Sequence, residues 1–399
     1  SSSLGESSRG IDCRVLEMRL RTADLFSGCG GFSEGFKAVK GFSTGYAVDF
    51  WKPAGDIYKL NHPNVHFEAL DLSERANIEH VIGVLAGQFD VLIGGPPCQG
   101  FSTLGKRRDD DSRSTLVDVF AEIAVRSQTP VVLMENVRGI ASKKHPQGGT
   151  YLESYCQKLT SPENESLAGY SVSHRELMAT DFGMAQTRRR VFTIAIRKDV
   201  PSSESLLDEI WSFVENSKTK TCSNLREVLA GLVSEPPIFG KLSDPESTKA
   251  NAHLAMNHSP KLKARFSYVP EGGGLLDVPD HLLTPHLRKM VSGHYGSGGH
   301  VKNIYGRLTW DKPCGTIVAG MDKITCGRYV HPEADRLLTP RECARIQSFS
   351  DEFKLIGGQV SRYYAVGNAV PPRLATVLGT AIAKTLKNKL NPIAKKVAA

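Results

Sequence analysis

Along the first half of the chain, short apolar runs alternate with longer amphipathic stretches, a rhythm that predicts strands separated by helices. Runs at 22–27, 45–48, 65–69, 90–93 and 130–134 are apolar, short and bounded by glycine, proline or acidic residues, so each reads as a buried strand. Helices fit at 75–85 and 115–126, and 171–180 and 191–197 read as closing strands. Such alternation predicts an α/β fold with a doubly wound, largely parallel sheet, which takes its ligands at the carboxyl ends of its strands.

From about Asp199 the rhythm is lost, and Gly, Pro, Ser and His dominate until about Gly306. Regular structure returns at Arg307-Leu308-Thr309-Trp310. Thr339-Pro340-Arg341-Glu342 is a capping box that starts a helix running to about Phe349. Asn368-Ala369-Val370-Pro371-Pro372 is a turn that starts the last helix. The expected organisation is a disordered or expression-derived tail over 1–17, a cofactor-binding catalytic domain over 18–199 and an irregular second domain over 200–306. A return segment over 307–372 leads to a helix over 373–390 that completes the catalytic domain, and a tail follows over 391–399.

Composition narrows the class. No apolar run is long enough to span a bilayer and no secretory signal pattern opens the sequence, so a soluble, intracellular protein is expected. The 8 cysteines are scattered without a Cys-x-x-Cys pair, and the histidines of the irregular region have no metal-type spacing, so no metal is expected. A net charge of +8 is modest, but its placement is uneven. No acid follows Glu352, and the acid-free stretch 281–310 holds Arg288, Lys289, Lys302 and Arg307. Such clusters suit a polyanionic partner, although a solvated face explains a basic run about as often.

Several stretches carry candidate chemistry. Gly94-Gly95-Pro96-Pro97-Cys98-Gln99-Gly100-Phe101-Ser102 sets a thiol directly after a buried strand, making Cys98 a candidate nucleophile. Gly28-Cys29-Gly30-Gly31 is a glycine turn between a strand and a helix, open to a nucleotide-like cofactor, and Asp49-Phe50 pairs an acid for ribose hydroxyls with an aromatic for an adenine. The next strand ends near Asp71-Leu72. Glu135 ends the strand at 130–134, in a register that would present it at the same sheet edge as Cys98. Arg188 and Arg190 alternate on the approach to the last strand and should face one target. The polar loop containing Lys106, Arg107 and Arg108 lacks core residues and should be mobile.

In this order, Asp24-Leu25-Phe26-Ser27-Gly28-Cys29-Gly30-Gly31-Phe32, the Pro-Pro-Cys98 stretch, Glu135-Asn136-Val137, Gln186-Thr187-Arg188-Arg189-Arg190 and Gly367-Asn368-Ala369-Val370-Pro371 resemble the motifs of the DNA (cytosine-5) methyltransferases. The resemblance covers roughly 20–390 and implies a Rossmann-like class I methyltransferase with a mixed, mostly parallel sheet and a smaller, irregular target-recognition domain. It implies S-adenosylmethionine held by Phe26, Ser27, Gly28, Cys29, Gly30, Gly31, Asp49, Phe50, Asp71, Leu72, Gly95, Pro97, Asn368, Ala369 and Val370. Asp49 stands where the family usually has Glu. Cys98 is the implied nucleophile, Glu135 the carboxyl at cytosine N3, and Arg188 and Arg190 the groups around cytosine O2. Gln99, Ser102, Lys106, Arg107, Arg108, Arg288, Lys289, Lys302 and Arg307 are the implied contacts to double-stranded DNA. A monomer, a bacterial cytoplasmic setting (nuclear if eukaryotic) and a cognate restriction endonuclease acting on the same site complete the expectation.

Three rival readings are open to the same residues. A tRNA cytosine methyltransferase would carry a Cys-Phe-Thr signature before its recognition region, and none is found. A catalytically silent relative should have lost Cys98 or Glu135, and both are present. A nicotinamide oxidoreductase is disfavoured because the glycine turn lacks the G-x-G-x-x-G spacing.

Overall fold

The computed structural model describes residues 19–97, 116–240, 251–292, 301–386 and 389. The chain opens with β1 (Leu20–Leu25), α1 (Gly31–Lys37), β2 (Phe42–Val48), α2 (Lys52–Asn61), β3 (His66–Glu68) and α3 (Arg75–Leu85). It continues through β4 (Val91–Gly94), α4 (Leu116–Ser127), β5 (Val131–Val137), α5 (Tyr151–Thr160), β6 (Tyr170–Met178) and β7 (Arg189–Arg197). The strands form one seven-stranded sheet in the order β3-β2-β1-β4-β5-β7-β6. β1 to β5 run parallel, and β7 is antiparallel to both β5 and β6. The expected mixed, mostly parallel sheet is therefore present.

Alternation along the central strands sorts their side chains onto two faces. Val91, Ile93, Val131 and Leu133 pack on one side with α1 and two later helices, α6 (Ser203–Asn216) and the C-terminal α12 (Pro372–Leu386). Leu92, Val132 and Met134 pack on the other with α3, α4 and α5. Each large aliphatic side chain buried this way contributes about 1.5–3 kcal/mol. Glycine lets α1 approach the chain that enters α12: a Cβ on Gly31 would lie 2.1 Å from the Val370 carbonyl oxygen.

The expected boundary at 199 cuts off α6. Leu206, Leu207, Ile210, Trp211 and Val214 form an apolar stripe at helical spacing, and that stripe covers the sheet. Among the described residues, the irregular region beyond it holds three short α-helices, α7 (Leu225–Val228), α8 (Pro260–Phe266) and α9 (Pro285–Val291). Its own core includes Leu225, Phe266, Leu287, Tyr305, Leu308 and Tyr329. That core runs on into α10 (Pro340–Ile346) and α11 (Gln359–Asn368). The capping box at α10 is formed as expected, with Thr339 Oγ1 accepting the Glu342 amide and Glu342 accepting the Thr339 amide.

Arg307 departs from its expected place on a DNA-facing surface. It is buried and donates to the carbonyls of Phe266, Val269, His331 and Ala334 at 2.7–2.8 Å, and it pairs with Asp335 at 2.6 Å. An irregular core has many carbonyls outside regular ladders, and a five-donor guanidinium satisfies several at once. Arg288 is exposed and paired with Asp280 at 2.9 Å. Among the described residues, no helix is long and apolar enough to cross a membrane.

Candidate active site

A cavity of about 370 Å³ opens at the carboxyl ends of β1, β2, β4 and β5, with one wall supplied by residues 364–370. The turn after β1 forms its floor. Phe26 (φ 55°), Gly28 (φ 55°) and Gly30 (φ 96°) all adopt left-handed backbone. That conformation is costly for a phenylalanine and is the kind of local strain that sites retain. No heavy atom lies within 4 Å of where a Gly28 Cβ would sit, so the backbone there is open to a ligand.

Asp49 follows β2 and ties this turn down. Its Oδ2 accepts the Gly28 amide and its Oδ1 the Trp51 amide, both at 2.8 Å. Burial raises its pKa, and the two amides oppose that rise. Each oxygen keeps further acceptor capacity for a diol. Phe50 beside it is 64% exposed, leaving a ring face free to stack. Deeper in, Asp24 is fully buried, with Oδ2 accepting from Ser33 Oγ at 2.7 Å and Oδ1 without a hydrogen-bond partner among the described residues. Burial pushes its pKa up to about 7.

The opposite wall comes from β5 and β7. Gly94 pairs with Met134, so the turn at 95–97 and Glu135 share one edge, and Asn136 Nδ2 donates to the Pro96 carbonyl at 3.2 Å. Glu135 Oε1 lies 3.0 Å from Arg190 Nε, and both side chains are largely buried. Arg188 takes a different direction from Arg190. Both arginines line the cavity, but the Arg188 guanidinium is buried on the carbonyls of Ile317, Gly367 and Ala369 whereas Arg190 pairs with Glu135. Arg188 lies just before β7, which begins at Arg189, so the strand's alternation does not constrain it and carbonyls far along the chain set its direction.

Of the residues expected at the cofactor, Phe26, Ser27, Gly28, Asp49, Phe50, Gly95, Pro97, Asn368, Ala369 and Val370 line the cavity. Cys29, Gly30, Gly31, Asp71 and Leu72 do not. The Cys29 thiol is buried against the Ala365 carbonyl and its pKa is pushed up to about 12. Asp71 caps the following turn by accepting from Ser73, and Leu72 is core. Cys98, Gln99, Ser102, Lys106, Arg107 and Arg108 lie outside the described residues, as does the Lys302 side chain. Asp24, Trp51 and Tyr364 also line the cavity, beyond the ligands that the sequence suggests. Asp24 opens the 24–32 motif and Trp51 adjoins Phe50, but nothing local marks Tyr364.

The match to S-adenosylmethionine is chemical. The cavity offers an acid for a ribose diol, an open aromatic face and a glycine backbone clear of side chains. It also offers acidic side chains, Asp24 among them, for a ligand that carries positive charge.

A family model described as C-5 cytosine-specific DNA methylase matches residues 20–384. The type II methyltransferase M.AgeI of Thalassovita gelatinovora is 32% identical over 440 residues, covering 92% of this chain and 99% of that protein. The type II methyltransferase M1.HphI of Haemophilus parahaemolyticus is 33% identical over 377 residues, with 93% and 89% covered. Among solved structures, an E. coli protein encoded within a prophage superposes with a TM-score of 0.64 at 23% identity, over 93% of this chain and 99% of that one. The Dnmt2 methyltransferase of S. pombe superposes at 0.56 with 16% identity, over 94% and 99%. These two likenesses speak to the fold.

Proposed function

The chain belongs to the C-5 cytosine-specific DNA methylase family, and from that premise we propose that it methylates C5 of a flipped-out cytosine within a specific sequence of duplex DNA, through a covalent bond from Cys98 to C6. The observation that carries this reading is the convergence, at one sheet edge, of the 95–97 turn, the Glu135–Arg190 pair and the Asp49-anchored cavity.

S-adenosylmethionine, when bound, supplies an electrophilic methyl group; Gly28, Asp49, Phe50 and the segment 368–370 would hold it. Cytosine C5 is a weak nucleophile. The Cys98 thiolate forms a bond to C6, electron density moves to C5 and towards N3, and Glu135 meets that charge by donating a proton or sharing one at N3. Arg190 holds the Glu135 carboxyl in place and supplies donors for the base oxygen. Once C5 has taken up a methyl group, loss of its proton restores the ring and expels the thiolate. C6 is shielded inside a stacked duplex, so the cytosine must leave the helix first. The type II relatives favour a role in restriction-modification, with a cognate endonuclease acting on the same site as partner.

The test is methyl transfer from labelled S-adenosylmethionine to duplex DNA and, in parallel, to tRNA, with Cys98→Ala alongside. Label is expected on DNA and absent with the variant. Label on tRNA alone would favour the RNA reading, and a fully active Cys98→Ala would sink the covalent mechanism. DNA containing 5-fluorocytosine should trap a covalent adduct, since fluorine cannot leave as a proton does.

A further inference from the structure

Arg188 sits where three parts of the chain meet. Nη1 donates to the Ile317 carbonyl at 2.9 Å and the Gly367 carbonyl at 3.4 Å, and Nη2 donates to the Ala369 carbonyl at 3.1 Å. The residue is 2% exposed. Gly367 and Ala369 belong to the carboxyl end of α11, where the last carbonyls lack helical partners and the helix dipole favours a cation.

Gln186 grips the same junction. Its Oε1 accepts the Ile317 amide at 3.1 Å and its Nε2 donates to Gln347 Oε1 at 2.7 Å, while Gln347 Nε2 donates to the Val366 carbonyl at 2.8 Å. Gly367 lies flat against the segment 317–319, where an added Cβ would come within 2.3 Å of the Val318 carbonyl carbon. The cavity wall at 367–370 is thus pressed between that segment and α1, with the Arg188 guanidinium at the joint.

We propose that Arg188 is a positioning residue for the cofactor cavity: by fixing 367–370 against residues 317–319 it governs binding of S-adenosylmethionine, while the target base is left to Arg190 and Glu135. The proposal rests on the cavity being the S-adenosylmethionine site. Turning Arg188 towards a base would strand the α11 carbonyls in the interior, and the loss of satisfied buried acceptors outweighs one new hydrogen bond. Lysine is a poor substitute because its compact ammonium lacks the planar fork that reaches carbonyls on two segments.

The test is titration of the full chain with S-adenosylhomocysteine in the absence of DNA, for wild type, Arg188→Lys, Gln347→Leu and Arg190→Lys. Steady-state kinetics on duplex DNA from a methylation-free host accompany it. Arg188→Lys should bind roughly tenfold more weakly and raise KM for S-adenosylmethionine by a similar factor. Its KM for DNA and its kcat should stay within about threefold of wild type. Gln347→Leu, which keeps the charge at 188, should shift in the same direction, and Arg190→Lys should titrate like wild type. If Arg188→Lys does not fold, Gln347→Leu decides, and a wild-type titration for it would overturn the proposal. An Arg188→Lys protein that binds normally, or whose loss falls on KM for DNA, would also overturn it. A wild type that binds no S-adenosylhomocysteine would overturn the cavity reading and this assignment together, whereas normal wild-type binding matched by both variants would overturn the assignment alone.

Discussion

Arg190 Nε stands 3.0 Å from Glu135 Oε1, joining β7 to β5 on a diagonal of their antiparallel ladder, where Arg190 is opposite Val137. The pair lies in the cavity wall beside the 95–97 turn. The ion pair sets the carboxyl in the wall before any base arrives, while its Oε1 has no hydrogen-bond partner among the described residues.

Glu135→Gln keeps the shape and removes the acid. Its kcat for DNA methylation should fall by roughly 10²–10⁴-fold, the usual contribution of a positioned proton donor, with affinity for S-adenosylhomocysteine unchanged. Single-turnover rates with saturating DNA measure it, and an unchanged rate would remove Glu135 from the chemistry.

Asp49→Asn should weaken S-adenosylhomocysteine binding without lowering the maximal rate at saturating cofactor. One amide of the pair Gly28 and Trp51 would then face an NH₂ group in place of an oxygen, a loss of about 1–3 kcal/mol for a buried donor. Calorimetric titration reads this directly, and an unaltered affinity would exclude the ribose role.

Asp24 gives a pH dependence of stability. Its folded pKa of about 7 lies above the ordinary 3.8 because burial disfavours the ionised form. Between these values the folded state holds a proton that the unfolded chain has released, so stability falls as pH rises from about 4 to about 7 and is flat beyond. Asp24→Asn should lose this component. Denaturant unfolding at pH 5 and pH 8 tests it: the wild-type difference should shrink in the variant, and an equal difference in both proteins would refute the assignment.

Arg307→Met should destabilise the second region strongly, by about 3–5 kcal/mol, because four buried carbonyls and Asp335 lose their partner. Arg307→Lys, where it folds, should leave the salt dependence of DNA binding unchanged. A slope reduced by about 1 would instead indicate a direct phosphate contact.

Much of the fold was legible because its signals are local. Buried parallel strands read as apolar runs, the capping box at Thr339 needs only four consecutive residues, and Glu135 and the 95–97 turn share an edge once neighbouring strands run parallel. The stripe of α6 was legible too, yet the polar composition around it masked a helix that covers the sheet.

By itself the sequence determined the βαβ rhythm, the family motifs and the placing of Asp49, Gly28 and Glu135 at one sheet edge, because strand direction and residue spacing set those positions. Only the tertiary structure decided between arginines. Arg188 and Arg190 are the same residue type two positions apart, and one closes α11 while the other pairs with Glu135. Arg307 sits in an acid-free run and still belongs to the interior. In each case the deciding partners are backbone carbonyls, for Arg188 up to 181 residues away. Every residue carries such an acceptor, so no local pattern announces which ones folding will bury unpaired or which cation will satisfy them.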